Sequence, residues 1–374
     1  MLEIKEVTTN SQLTAFIKFP DKLYKGNPYR VTPLHTFERN ILNKKKNPAF
    51  EYCEARYWLA YRDGQIVGRI AGIINHKFVD IWGERIGRFG WIDFIDDYEV
   101  SAKLLETAEQ WVISRGMEGI QGPLGFTDMD FEGMLVDGFN EMGTLAVIYN
   151  FPYYPVHMEH HDYQKDADWI QKELKVPEKV PDRLVKFSKI VAEKYNVRPL
   201  KVKSAKEFIP YAKSMFYTLN EAFKHLYGFV PLNDKQIEQY TKDYFSLILP
   251  KYVCMVVNEK DEVIAFGISM PSLSKALINA KGNLIPIGLY NIFKALRKHH
   301  IIDMYLNGVR PDYQNKGIHS IYYTELMQAY IDNGITHAIT NPQLETNNRA
   351  LMLWEGFEQR DHLRRRSYVK TLKN

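Results

Sequence analysis

The chain has 374 residues with a formal net charge of +4; charged residues make up 25% of it and aromatic residues 13%. That length exceeds one typical domain and supplies ample apolar material for cores, which fits a globular protein of two domains. So small a charge argues against a nucleic-acid partner, whose binders concentrate a basic face, and Lys44-Lys45-Lys46 and Arg364-Arg365-Arg366 read as solvated surface or strand edge, with ligand contact as the other reading.

Cys53 and Cys254 match no zinc or redox spacing and read as buried thiols in a reducing cytosol. The start, MLEIKEVTTN, lacks a cationic stretch followed by an apolar one, and no run of about 18 apolar residues is present. A cytoplasmic protein without a membrane span is expected.

In chain order, residues 2–7 read as a strand and 11–22 as a helix. The Pro-, Asn- and Lys-rich stretch 24–50 reads as loop around a short helix near 36–42. Residues 55–61 and 66–75 flank an Asp63-Gly64 turn, a hairpin signal, and 85–94 is a further strand. Leu104, Leu105, Ala108, Trp111 and Val112 recur at helical spacing, which predicts a helix over 100–115 stopped by Gly116. Residues 121–139 mix glycines, aromatics and acids with no period. They form either a packed surface loop or a cleft wall on which Asp128, Asp130 or Glu132 receives an amine.

His157, His160, His161 and Asp162 share a short helix, but no second element supplies further ligands, so no metal site is expected. Residues 163–197, with Pro177, Pro181 and a helical pattern over 182–195, read as a linker. It would separate an N-terminal domain, 1–162, from a C-terminal domain, 198–374. The latter opens with a strand near 198 and helices over 205–226 and 233–249, with Met215, Phe216, Leu219, Phe223 and Leu226 as a core stripe. A hairpin over 252–270 and a basic helix at 293–298 follow.

Next comes a strand from Met304, a turn at Pro311-Asp312, and a helix opened by Gly317 with Ile318, Ile321, Tyr322, Leu326 and Tyr330 on one side. The intervening loop, Gln314-Asn315-Lys316-Gly317, holds one lysine, no acid, and a glycine where backbone can approach a ligand. Free N–H groups and the partial positive charge at a helix start favour phosphate by roughly 0.3–1 kcal/mol per charge.

Hairpin, strand and helix thus occur twice, and the chain reads as a tandem duplication. Aligning 92–98 with 307–313 places the helix-ending glycine 18 residues after Tyr98 but 21 after Tyr313. The residues missing from the first copy are those of the phosphate loop, and Asp96, Asp97 and Glu99 set carboxylates there that repel an anion. Only the second copy is expected to bind one.

The spacing Val309-x-Pro311-x-x-Gln314-x-x-Gly317 resembles the acetyl-CoA pyrophosphate loop of the GNAT acyltransferase superfamily, Q/R-x-x-G-x-G/A. The segment from Asn347 through Ala350 and Leu353 to Gly356-Phe357 resembles that family's N-x-x-A-x-x-L-Y-x-x-x-G-F. Gly122-Pro123, Leu135 to Phe139, Tyr149 to Tyr154 and Tyr227 to Leu232 are similar to stretches of bacterial tandem GNAT-like proteins. The resemblance implies an α/β (α+β) fold of two tandem GNAT-like domains, each a mixed sheet flanked by helices. It implies acetyl-CoA or another acyl-CoA as co-substrate, held by Val309, Gln314, Asn315, Lys316, Gly317, Ile318, His319 and Asn347. The acyl group would pass to an amine of a small molecule or peptide, in a monomer or homodimer. Tyr217 and Glu221 would look into the acceptor cleft. Three features depart from the family: His319 replaces a small residue, Trp354 replaces the tyrosine that serves as acid toward the departing thiolate, and the link from there to Gly356-Phe357 is two residues short.

Acyl transfer needs a neutral amine and so a base. Glu345 is the candidate, with a cap on the following helix as its other reading. Backbone N–H groups at Asn307 to Val309 would polarise the carbonyl. Two further readings are a non-catalytic GNAT-fold protein that binds a ligand or partner, and a Fem-like transferase of aminoacyl-tRNA, which would lack the phosphate loop.

Overall fold

The computed structural model describes residues 1–244 and 248–372. The first half runs β1 (Leu2–Glu6), α1 (Asn10–Leu23), α2 (His35–Ile41), β2 (Cys53–Arg62), β3 (Gln65–Asn75), α3 (His76–Trp82), β4 (Ile86–Phe94), α4 (Tyr98–Ser114), β5 (Gly119–Gly122), β6 (Met134–Asp137), α5 (Tyr153–His160) and β7 (Gln164–Lys175). After α6 (Asp182–Tyr195) the order repeats: β8 (Arg198–Pro199), α7 (Ile209–Phe223), α8 (Asp234–Tyr244), β9 (Val253–Val257), β10 (Val263–Pro271), α9 (Ser274–Ala280), α10 (Ile287–Arg297), β11 (Ile301–Val309), α11 (His319–Asp332), β12 (His337–Ile339), β13 (Gln343–Leu344), α12 (Asn348–Met352) and β14 (Gln359–Thr371). The expected helix over 233–249 is α8 as far as Tyr244; 245–247 lie outside the described residues.

Local sequence accounts for the boundaries. Thr9 caps α1 through a capping box with Gln12, so the helix begins at Asn10, one residue before the expected start. The apolar stripes read from periodicity are the buried ones: Leu104, Leu105, Ala108, Trp111 and Val112 on α4, and Ile321, Tyr322, Leu326 and Tyr330 on α11. Each helix lies close on its hairpin. A Cβ on Gly72 of β3 would stand 2.7 Å from Trp111, and one on Gly267 of β10 would stand 2.8 Å from Tyr322. Both cysteines are buried and free.

All the strands join one sheet, ordered β1-β2-β3-β4-β5-β14-β7-β12-β11-β10-β9-β8, with β6 and β13 attached at its centre. The two halves exchange their last strands. β14, from the end of the chain, pairs with β5 of the first half, and β7, from the end of the first half, pairs with β12 of the second. β7 and β14 pair with each other along most of their length. Residues 163–197, expected as a linker with a helix, therefore contain a central strand as well as α6. The sequence hid it because β7, QKDADWIQKELK, alternates poorly: Asp168 on its polar face is buried by ion pairing.

Helix α11 covers one face of the second half together with Ile302, Ala338 and Trp354. Helices α7 and α9 cover the other, over Phe266, Ile268 and Met270.

Candidate functional site

The loop after β11 leaves backbone donors without acceptors. Residues Pro311–Tyr313 make a single 3-10 turn, Asn315 sits at φ +60° and Gly317 at +77°, and α11 then begins. Asn and Gly take positive φ at least cost, so these residue types fit the path. The N–H groups from Asn315 to His319 find no acceptor among the described residues. They lie at the positive end of α11, the arrangement that takes a phosphate. Asn315 and Lys316 are exposed, with the Lys316 ammonium 5.2 Å from the Tyr313 ring and 5.3 Å from Tyr195. Ile318 is buried and roots the helix in the core, so only its backbone faces the loop. His319 is half-buried beside Tyr323, and burial lowers its pKa, leaving a neutral ring at pH 7. A Cβ on Gly317 would meet the Phe187 ring of α6 at 2.6 Å, so α6 forms one wall of the loop.

At β11 the sheet opens. Its parallel pairing with β12 ends at Asp303 and Ile339, and among the described residues Met304 to Val309 have no strand on that side. Pairing with β10 steps from Ser269–Met304 to Ile268–Leu306, a bulge in which Tyr305 is the inserted residue. The Arg310 N–H donates to Ile264 on the β10 side at 2.8 Å, so alternation turns the amides of Val309 and Asn307 toward the opening. Gln314 Nε2 donates back to the Val309 carbonyl at 3.0 Å and fixes the loop to the strand. A thioester carbonyl entering this gap would have the Asn307 N–H as a donor.

The acceptor side of the gap holds groups that the sequence reading missed. Ile302 packs toward α11, so Asp303 faces α7 and α9. It is 1% exposed, and neither carboxylate oxygen has a hydrogen-bond partner among the described residues. Burial pushes its carboxyl up to about 7. A carboxyl poised near neutral pH on the strand flanking the opening is suited to general base catalysis. A lone acid in the apolar run Ile301 to Leu306 was the readable signal.

Arg365 of β14 stands opposite Trp169 of β7 on this same face, 1% exposed, with Nε and Nη1 lacking acceptors. Burial alone pulls its guanidinium down to about 9. This corrects the reading of the arginine run as surface. Strand alternation places Arg364 and Arg366 on one side, 2.9 and 2.8 Å from Asp168, and sends Arg365 into the core. An unpaired buried cation costs several kcal/mol in general, and it can pair with an anionic group of a ligand.

Glu345 is differently placed from either expectation. Its oxygens lie 2.5 Å from Lys165 and 3.3 Å from Arg364, inside the ion-pair group around Asp168, which does not favour the role of base. Nor does it cap the next helix: Asn347 does, accepting from the Ala350 N–H at 3.3 Å. Asn347, expected at the cofactor, thus has a structural task.

Asp128, Asp130 and Glu132 sit half-buried in the loop 123–133 at the junction of the halves. Asp128 accepts from the Val230 N–H at 3.2 Å, and Asp130 from Phe126 and Thr127 at 2.9 and 3.1 Å. Burial raises all three pKa values, that of Asp130 to about 6. Met129 packs into the α7 cluster, which brings this loop to the acceptor side. Tyr217 and Glu221 are not brought there. Tyr217 donates to Asp234 at 2.9 Å on the exposed side of α7, and Glu221 is exposed beside Lys224 at 2.8 Å.

On the α11 side, Trp354 is buried with its ring 5.0 Å from that of Tyr323. The Tyr323 hydroxyl has no hydrogen-bond partner among the described residues, so a phenol lies next to the place where the expected tyrosine is absent. Leu174, Met304, Leu326, Tyr330 and Phe357 line a narrow apolar gap here.

The first half repeats the bulge, between Arg69–Asp93 and Ala71–Gly90, but closes the site. Arg69 Nε and the Tyr24 hydroxyl donate to Asp93 at 2.7 and 2.8 Å. The Asp97 carboxylate accepts from the Glu99 and Val100 N–H groups at 2.9 and 3.3 Å, so the donors a phosphate would use at α4 are taken. His157 bridges Asp96 and Ser101 at 2.9 and 2.8 Å.

No family model matches the chain. It is 27% identical over 379 residues to Protein YghO of Escherichia coli (strain K12), spanning 99% of this chain and 95% of that protein. It is 27% identical over 293 residues to the Bacterial ceramide synthase of Caulobacter vibrioides (strain NA1000 / CB15N), spanning 77% and 74%. The solved tandem GNAT protein from the clavulanic acid biosynthesis pathway (without AcCoA) superposes at TM-score 0.56 with 8% identity, over 100% of this chain and 99% of that one. A GCN5-related N-acetyltransferase from Sphaerobacter thermophilus does so at 0.52 with 10% identity, over 100% and 96%. The fold is that of tandem GNAT proteins.

Proposed function

We propose that this tandem GNAT-fold chain is an acyl-CoA-dependent N-acyltransferase whose second half carries the reaction. The observation that carries the reading is the opened, bulged β11 running into a loop of free N–H groups at the start of α11. The pyrophosphate would rest on Asn315 to His319 with Lys316 beside it, and the pantetheine would enter between β11 and β12. Asp303 would take the proton of the attacking amine through bridging water, the Asn307 N–H would stabilise the oxyanion, and Tyr323 would protonate the thiolate. The acids of the 123–133 loop draw the cationic amine in. Arg365 offers a counter-ion for an anionic group on the acceptor.

The relative called a ceramide synthase supports this class, since a ceramide is an amide between a fatty acyl group and a long-chain amine. Thiol release from acetyl-CoA and a long-chain acyl-CoA, measured across a panel of amines, tests the proposal. Amine-dependent release is expected, faster for amines that bear an acidic group, and Arg365→Gln should remove that preference. No amine-dependent release with any donor would overturn it.

A further inference from the structure

Between β10 and β11 the chain inserts α9 and α10, and this insertion presents an unusual surface. Residues 272–302 contain Lys275, Lys281, Lys294, Arg297 and Lys298 and no acid, so the rest of the chain is net −1 against the overall +4. All five cations are exposed and none joins an ion pair among the described residues. Five exposed large apolar side chains fall within nine residues of the same insertion: Ile285 at 76%, Ile287 at 64%, Leu289 at 40%, Tyr290 at 68% and Phe293 at 56%.

The insertion is firmly seated beneath this surface. Leu277, Ala280 and Ile292 belong to the α7 core, Ser274 donates to the Gly143 carbonyl at 2.8 Å, and the His35 N–H donates to Gly282 at 3.0 Å. Ile287, Tyr290 and Phe293 recur every three residues and so form one outward stripe on α10, with Lys294 and Arg297 along its edge.

We infer that α10 and the turn before it dock on the surface of an anionic phospholipid bilayer. Apolar side chains would enter the headgroup boundary while the cations meet the lipid phosphates. Charge complementarity selects this occupant: a stripe of aromatic and aliphatic residues flanked only by cations is what an interfacial helix presents. No helix among the described residues is long and apolar enough to cross a membrane, so the attachment is to one face.

Flotation of the full chain with vesicles tests it. Binding to phosphatidylglycerol–phosphatidylcholine vesicles should exceed binding to pure phosphatidylcholine at least tenfold and fall as salt is raised. The variant Ile287→Ser/Tyr290→Ser/Phe293→Ser should lose binding at least tenfold with an unchanged melting temperature, because the three side chains are exposed. Lys294→Glu/Arg297→Glu should remove the preference for anionic lipid. Wild-type protein left unbound by the anionic vesicles, or a triple variant that floats as well as wild type, would overturn the inference. So would loss of a dimer in the triple variant without lipid binding by wild type, which would give the face to a second copy of the chain.

Discussion

Asp303→Asn is expected to cut amine-dependent turnover about 10²- to 10⁴-fold, the usual contribution of a positioned base, while acyl-CoA affinity stays within about twofold. The asparagine keeps the shape and loses only the titrating carboxyl. In the wild type, the rate should rise with pH through about 7, where burial has moved this group. The same shift predicts an effect on stability. A carboxyl whose folded pKa lies above its ordinary value of about 3.9 holds its proton more tightly when folded. Stability from it is therefore full below about pH 4 and is lost as pH rises through 7. The variant should melt above wild type at pH 8, and the gap should narrow toward pH 4. Unchanged turnover in a folded variant would remove Asp303 from the mechanism.

Deleting 358–374 should abolish the fold of both halves. Strand β14 lies between β5 and β7, and its loss would leave each with one unpaired edge and would remove Tyr368, which packs in the first half's core. The sheet is continuous, so the intact chain should melt in one transition. The truncated chain, and residues 1–162 alone, should show no cooperative melt by circular dichroism, since so central a loss exceeds the usual 5–15 kcal/mol of native stability. A truncated chain with a cooperative melt of its own would show that the halves fold independently.

Much of this architecture could be read from local pattern. Hairpins announced by Asp63-Gly64, the stripe on α11 and the glycine loop depend on neighbours in sequence, and each lies where periodicity and turn chemistry put it. The strand exchange could not be read, because β7 and β14 gain their partners from opposite ends of the chain. Glu345 follows the strand beside the cofactor strand, yet its environment comes from Lys165 and Arg364 on the exchanged strands. Arg365 looked like one of three surface cations. Only its strand period of two, together with β7 beside it, buries it. Asp303 was within reach of sequence alone, as an acid in an apolar strand just before the cofactor loop.

Calorimetric titration with acetyl-CoA and a long-chain acyl-CoA, on the wild type and on Lys316→Glu, tests the central claim most directly. The exposed Lys316 beside the free N–H groups of the loop predicts one site per chain, weakened about tenfold or more by the charge reversal. Wild-type protein that binds neither acyl-CoA, or a charge-reversed loop that binds as tightly as the native one, would contradict it.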